Sequence, residues 1–337
     1  GTVAAGGRSR DMESFAGKRA VVTGGGSGMG RELVIQLAAQ GCSVATCDVN
    51  PAGLAETLAR ADDGAARGAR ITTHLCDVSD EARVLAFRDE TMGYHGDVME
   101  LLFNTAGIGG GGSFITDRRE DWERTFGVDW WGVYYCTRAF LPSLIKASEA
   151  HLVNTSSVNG FWASLGPGIP QTAYSTAKFA VKGFSESLIE DLRVNAPHIK
   201  VSVVMPGHVG TDIIANSRRY LGRADPDDVT ESDLDETREQ LARRGVPVGD
   251  LSYDQLRGVV KLVEEGFRTN APLDPAGAAT IILDGVRAGR WRILVGDDAH
   301  RLDEQVRADP EAAYDHRGVG ISPLLLGAAI QDEPPAP

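Results

Sequence analysis

The chain has 337 residues, 42% of them hydrophobic and 24% charged, which is enough for one large domain or two ordinary ones around a buried core. Its formal net charge of -13 argues against nucleic acid and anionic membrane surfaces as partners. No apolar run reaches the roughly 18 residues of a membrane span, and Cys42, Cys47, Cys76 and Cys136 form no Cys-x-x-Cys pair, so a cytoplasmic chain with reduced, buried thiols is expected. Residues 1–14 are expected to be a disordered leader without a secretory h-region, and 331–337 a disordered tail. A single domain is expected at 15–330.

Ala20-Val21-Val22 reads as a first strand, ending in Thr23-Gly24-Gly25-Gly26-Ser27-Gly28-Met29-Gly30. A helical pattern with Leu33, Val34, Leu37 and Ala38 on one face follows. A strand, a glycine-rich turn and a helix form a phosphate cradle: glycine lets the backbone approach a pyrophosphate, and the helix N-terminus offers free N–H groups and positive dipole. Ser43 to Cys47 is a second strand with Asp48 at its end. A carboxylate there accepts hydrogen bonds from a ribose and repels a 2′-phosphate, which favours NAD over NADP.

A short helix over Pro51–Arg60, a strand over Ile71–Leu75 followed by Asp77-Val78, and a helix from Ser79 to about Met92 come next. Leu101-Leu102-Phe103 is a fourth strand ending in Asn104-Thr105-Ala106-Gly107. Strands alternating with helices predict an α/β fold, a parallel sheet covered on both faces. Trp122 to Leu144 reads as one long helix with an aromatic stripe. A fifth strand begins at Leu152-Val153 and leads to Ser156-Ser157. A helix over Ala173–Asn195 and a sixth strand over Val201–Val204 follow, then Pro206-Gly207-His208-Val209-Gly210-Thr211.

Tyr174 and Lys178 share one face of their helix. A nearby ammonium lowers the pKa of a phenol, so the pair could form a general base. The seven histidines show no metal-ligand spacing, and no metal is predicted. His208 reads as a turn residue.

Taken together, Thr-Gly-x-x-x-Gly-x-Gly at 23–30, Asp48, Asp77-Val78, Asn104-x-Ala-Gly, Ser157, Tyr174-x-x-x-Lys178, and Pro206-Gly207 with Thr211 resemble a classical short-chain dehydrogenase/reductase over about Lys18 to Gly296. The resemblance implies a single Rossmann-type doubly wound sheet of about seven parallel strands, the last near Trp291–Val295. It implies an NAD(H)-dependent oxidoreductase that interconverts a secondary alcohol and a ketone. Tyr174 would be the acid/base, Lys178 would lower its pKa and bind the nicotinamide ribose, and Ser157 would hold the substrate oxygen. The cofactor would lie on Gly24, Ser27, Gly28, Met29, Gly30 and Asp48. Asp77 and Val78 would flank adenine, Asn104, Ala106 and Gly107 the adenosine ribose, and Pro206, Gly207, Val209 and Thr211 the nicotinamide. A homodimer or homotetramer is implied, with Trp130, Trp131 and Phe179 as contacts.

The chain departs from the family pattern at Asp129, where Asn is usual and serves a proton path to the lysine. Thr105 replaces a second Asn, and Gly166 to Pro170 lengthens the stretch between Ser157 and Tyr174. Residues 213–270 are long and charged and read as a substrate lid, with helices near Glu231–Arg244 and Tyr253–Thr269 and with Gly207 and Gly222 as hinges. Ile213, Ile214, Tyr220 and Leu221, with Phe161, Trp162 and Leu165, read as the wall for a bulky apolar or cyclic alcohol. Two other readings remain: a catalytically impaired NAD-binding sensor or scaffold, supported by Asp129, and a nucleotide-sugar epimerase or dehydratase, disfavoured by the glycine spacing.

Overall fold

The computed structural model describes residues 12–166, 169–243 and 247–315. The expected leader lies almost wholly outside these residues. So do the tail, His316 and the centre of the Gly166–Pro170 loop. Seven strands form one sheet in the order β3-β2-β1-β4-β5-β6-β7: β1 Arg19–Thr23, β2 Ser43–Asp48, β3 Ile71–Leu75, β4 Leu101–Asn104, β5 Ala150–Thr155, β6 Ile199–Pro206 and β7 Arg292–Val295. Every pairing is parallel. The expected doubly wound Rossmann-type sheet is therefore the observed fold.

The central strands β1, β4, β5 and β6 are almost wholly buried because helices cover both faces. Side chains alternate along each strand. Val21, Leu102 and Leu152 enter the core beneath α3 (Glu81–His95), α5 (Gly132–Ile145) and α6 (Thr172–Asn195). Val22, Phe103 and Val153 enter the opposite core, beneath α1 (Gly28–Ala39) and α10 (Pro275–Arg287). The buried face of α1 is Leu33, Val34, Leu37 and Ala38, as its periodicity predicts. All four cysteines are buried and free.

The remaining helices are α2 (Pro51–Gly64), α4 (Arg119–Phe126), α7 (Ile213–Tyr220), α8 (Glu231–Arg243), α9 (Tyr253–Thr269) and α11 (Asp297–Ala308). The single helix expected over Trp122–Leu144 is broken: α4 and α5 are joined by a π-helical turn at Gly127–Trp131. Side-chain periodicity continues through such a turn, so the pattern does not reveal it. π turns recur at functional sites. Helices α8 and α9 pack on each other through a small core of their own, Leu234, Val248 and Leu256. No helix among the described residues is long and apolar enough to cross a membrane.

Candidate active site

Strand order reverses between β1 and β4, and the loops leaving these two strands diverge to open a cleft there. Thr23 Oγ1 ties the loops together, accepting the N–H groups of Thr105 and Ala106 at 3.0 Å each. Gly24 sits at φ +74°, and a Cβ there would lie 2.7 Å from Ala106 Cα. A Cβ on Gly30 would lie 2.1 Å from Gly24 O, so only glycine lets α1 start against the turn. The N-terminus of α1 has no side-chain cap, whereas α2, α3 and α10 are capped by Asn50, Asp80 and Asp274. Its first N–H groups are left for a ligand.

The cleft is about 530 Å³ and is lined by Gly24, Ser27, Gly28, Met29, Gly30, Asp48, Asp77, Val78, Ala106, Gly107 and Thr211 from the residues expected. Asp48 is fixed at the end of β2, accepting from Gly26 N and Asn50 N at 2.9 Å each. Helix α7 forms the outer wall of the cleft, which its short sequence pattern does not reveal. Tyr220 Oη donates to Asp77 Oδ2 at 2.9 Å, Asn216 Nδ2 donates to Ser27 Oγ at 3.0 Å, and Ser217 Oγ accepts from Gly109 N at 2.7 Å. Arg219 lines the same cleft, although no basic residue follows Asp48 closely in the chain. The pattern of Ile213 and Ser217 one turn apart was too short to mark this helix.

At the inner end of the cleft, Gly107 touches a second cluster. A Cβ on it would lie 2.7 Å from Asp129 Oδ1 and 3.3 Å from Lys178 Nζ. Lys178 Nζ stands 3.0 Å from Asp129 Oδ1, donates to Thr155 O at 3.2 Å, and lies 5.3 Å from the centre of the Tyr174 ring. Asp129 is fully buried in the π turn and also accepts from Ile108 N at 3.3 Å. Ser157 closes β5 and caps a short 3₁₀ turn, its Oγ accepting from Asn159 N at 3.1 Å. Ser156 Oγ instead donates to Lys178 O at 2.7 Å, facing away as strand alternation predicts.

Burial pushes the Tyr174 phenol above its ordinary pKa. Lys178 and the hydrogen bond with Ser157 pull it down, and the Asp129 carboxylate pushes it further up. The lysine acts in the expected direction, but burial outweighs it. Burial likewise raises the Asp129 carboxyl to about 6 against the pull of Lys178. Lys178 is held above its usual value: burial opposes its charge, but Asp129 and Tyr174 outweigh that.

Other expected positions sit differently. The Asn104 side chain is turned into the core, donating to Thr137 Oγ1 at 3.0 Å and Asn154 Oδ1 at 2.8 Å rather than bordering the cleft. Val209 is buried and bridges to Leu273, so it meets the cleft with backbone at most. Pro206 closes β6, and Gly207 is packed on Asp298, where a Cβ would lie 2.3 Å from Oδ1. Gly222 sits at φ +72° with open space around it. His208 is more than a turn residue: its backbone N–H donates to Asp298 Oδ2 at 2.6 Å and its Nε2 lies 2.7 Å from Phe267 O of α9. Trp162 is no substrate wall, because it is fully buried and donates through Nε1 to Ala313 O at 2.8 Å. Tyr220 belongs to the Asp77 side. Ile213, Ile214 and Leu221 do line a second pocket of about 330 Å³, with Gly109 to Gly112, Gln171, Arg218 and Arg223.

An α/β sheet with an open phosphate cradle at its switch point, and a Ser, Tyr and Lys cluster at the cradle's inner end, defines the dinucleotide-binding oxidoreductase class. A family model described as short chain dehydrogenase matches residues 18–221, and the chain belongs to the short-chain dehydrogenase/reductase family. It is 33% identical over 296 residues to SadH, named as an oxidoreductase, of Mycobacterium tuberculosis, spanning 88% of this chain and 92% of that one. A short-chain dehydrogenase/reductase from Burkholderia phymatum, solved in complex with NAD, superposes with a TM-score of 0.70 at 30% identity, covering 92% of this chain and 99% of that one. A metagenomic short-chain oxidoreductase solved with NADP gives a TM-score of 0.51 at 30% identity, over 57% of this chain and 83% of that one.

Proposed function

We propose that the protein is an NAD(H)-dependent dehydrogenase/reductase that interconverts a secondary alcohol and a ketone. The observation that carries this reading is the contact at Gly107. One residue both lines the cleft and abuts the Lys178–Asp129 pair, so a dinucleotide laid along the cleft ends beside Tyr174. The uncapped start of α1, Gly24 and Gly28 suit a pyrophosphate, and Asp48 suits an unphosphorylated ribose. The bound nicotinamide would supply hydride acceptance or donation. Ser157 holds and polarises the substrate oxygen, Tyr174 takes or returns its proton, and Lys178 favours the phenolate by charge. The Ile213, Ile214 and Leu221 wall suits a substrate with an apolar body.

Residues 213–270 serve as the lid. Trp131 and Phe179, 41% and 42% exposed, are offered as contacts of a cytoplasmic homodimer or homotetramer. The test is a panel of secondary alcohols with NAD or NADP, followed by reduced-nicotinamide absorbance. Turnover of cyclic or aromatic alcohols with NAD supports the reading. A preference for small polyols rejects the apolar substrate, and preference for NADP rejects the assignment to Asp48.

A further inference from the structure

The cation beside Tyr174 is not a bare one. Asp129 Oδ1 lies 3.0 Å from Lys178 Nζ, both side chains are almost fully buried, and Asp129 Oδ2 has no partner among the described residues. An asparagine of the same shape would leave the ammonium's full charge acting on the phenol. A carboxylate cancels much of that charge in a region where solvent does not screen it. Few groups surround the cluster of Tyr174, Lys178 and Asp129 among the described residues. Helix α6 brings Lys178, the π turn brings Asp129, β5 and its exit bring the Thr155 carbonyl and the Ser157 hydroxyl, and the β4 loop brings backbone at Gly107 and Ile108. No other titratable side chain bonds to this cluster among the described residues.

We propose that Asp129 is a positioning residue that masks the charge of Lys178, keeping Tyr174 a proton donor at neutral pH and confining its work as a base to alkaline pH. This rests on Tyr174 being the acid/base of the proposed reaction. The mask changes the pH dependence of each direction and leaves the overall equilibrium untouched.

The sign is definite. Asp129→Asn removes a negative charge near the phenol, so Tyr174 ionises at lower pH. The acid limb of kcat/KM for alcohol oxidation and the alkaline limb for ketone reduction both move down, by about one pH unit. The full-length chain is titrated by ultraviolet difference spectroscopy, the Tyr174 signal being isolated by subtracting the matching Tyr174→Phe protein in each background. This readout needs neither cofactor nor substrate. A midpoint lower in Asp129→Asn than in the wild type supports the proposal, and an unchanged or higher midpoint overturns it. If Asp129→Asn does not fold, Asp129→Ser is used instead. If neither neutral variant folds, the carboxylate is a structural requirement and the proposal is overturned. The acid/base reading fails separately, if Tyr174→Phe keeps its turnover.

Discussion

The cleft side and the lid side of the catalytic cluster are built by opposite means. On the cleft side, backbone meets backbone at distances that admit no side chain, Gly24 on Ala106 and Gly30 on Gly24, and Gly107 lies as close to the Asp129 carboxylate. On the lid side, α8 and α9 stand on a small core of three buried residues, and charged pairs such as Arg257–Asp254 and Lys261–Asp227 decorate the outside. The first arrangement fixes atoms within tenths of an ångström, as a cradle for a pyrophosphate requires. The second stands on a small core of its own, which suits the lid proposed for it. Among the described residues, Tyr220 to Asp77, Asn216 to Ser27, Gly109 to Ser217, Arg223 to Asp121 and His208 to Phe267 tie residues 213–270 to the rest.

The strongest way to break this contrast is Gly24→Ala. A Cβ at φ +74° is strained, and it would sit 2.7 Å from Ala106 Cα. Strain of about 1–3 kcal/mol is expected. NADH affinity, followed by its fluorescence, should fall more than about tenfold; unchanged affinity would show that the turn adapts as freely as the lid. A smaller effect sharpens the cofactor choice. Asp48→Ala removes the acceptor held by Gly26 and Asn50, and the ratio of kcat/KM for NAD over NADP should fall about tenfold, a charged hydrogen bond's worth. An unmoved ratio would transfer the selection to Arg219. The smallest global effect is expected from Leu256→Ala in the lid core. Amide exchange over 231–243 and 253–269 should speed up and KM for the alcohol rise a few-fold, while the main melting transition and KM for NAD stay in place. Loss of the whole fold would show that α8 and α9 are part of the main core.

The sequence was most informative where a residue type is dictated by geometry. The glycines at 24, 28 and 30, the carboxylate at 48 and the Tyr174–Lys178 spacing all sit where backbone approach or helix periodicity requires them. The expected cofactor residues accordingly line one cavity, apart from Asn104, Tyr174, Lys178, Pro206, Gly207 and Val209. Hydrophobicity alone makes Trp162 a pocket wall, yet it is core, because its indole N–H finds the Ala313 carbonyl far along the chain. Asn104 is placed by its motif instead, and its side chain finds Thr137 and Asn154 in the core. The π turn left no trace in the periodicity. Helix α7 was too short to announce itself, though it supplies the cleft's outer wall.

The account rests on Tyr174 exchanging a proton with a substrate oxygen beside a bound dinucleotide. Tyr174→Phe keeps the ring and removes only the hydroxyl, so the decisive measurement is its turnover of the best secondary alcohol alongside its NADH affinity. Affinity retained with turnover down about a thousandfold is the predicted result. Turnover within a few-fold of the wild type at equal affinity would contradict the account.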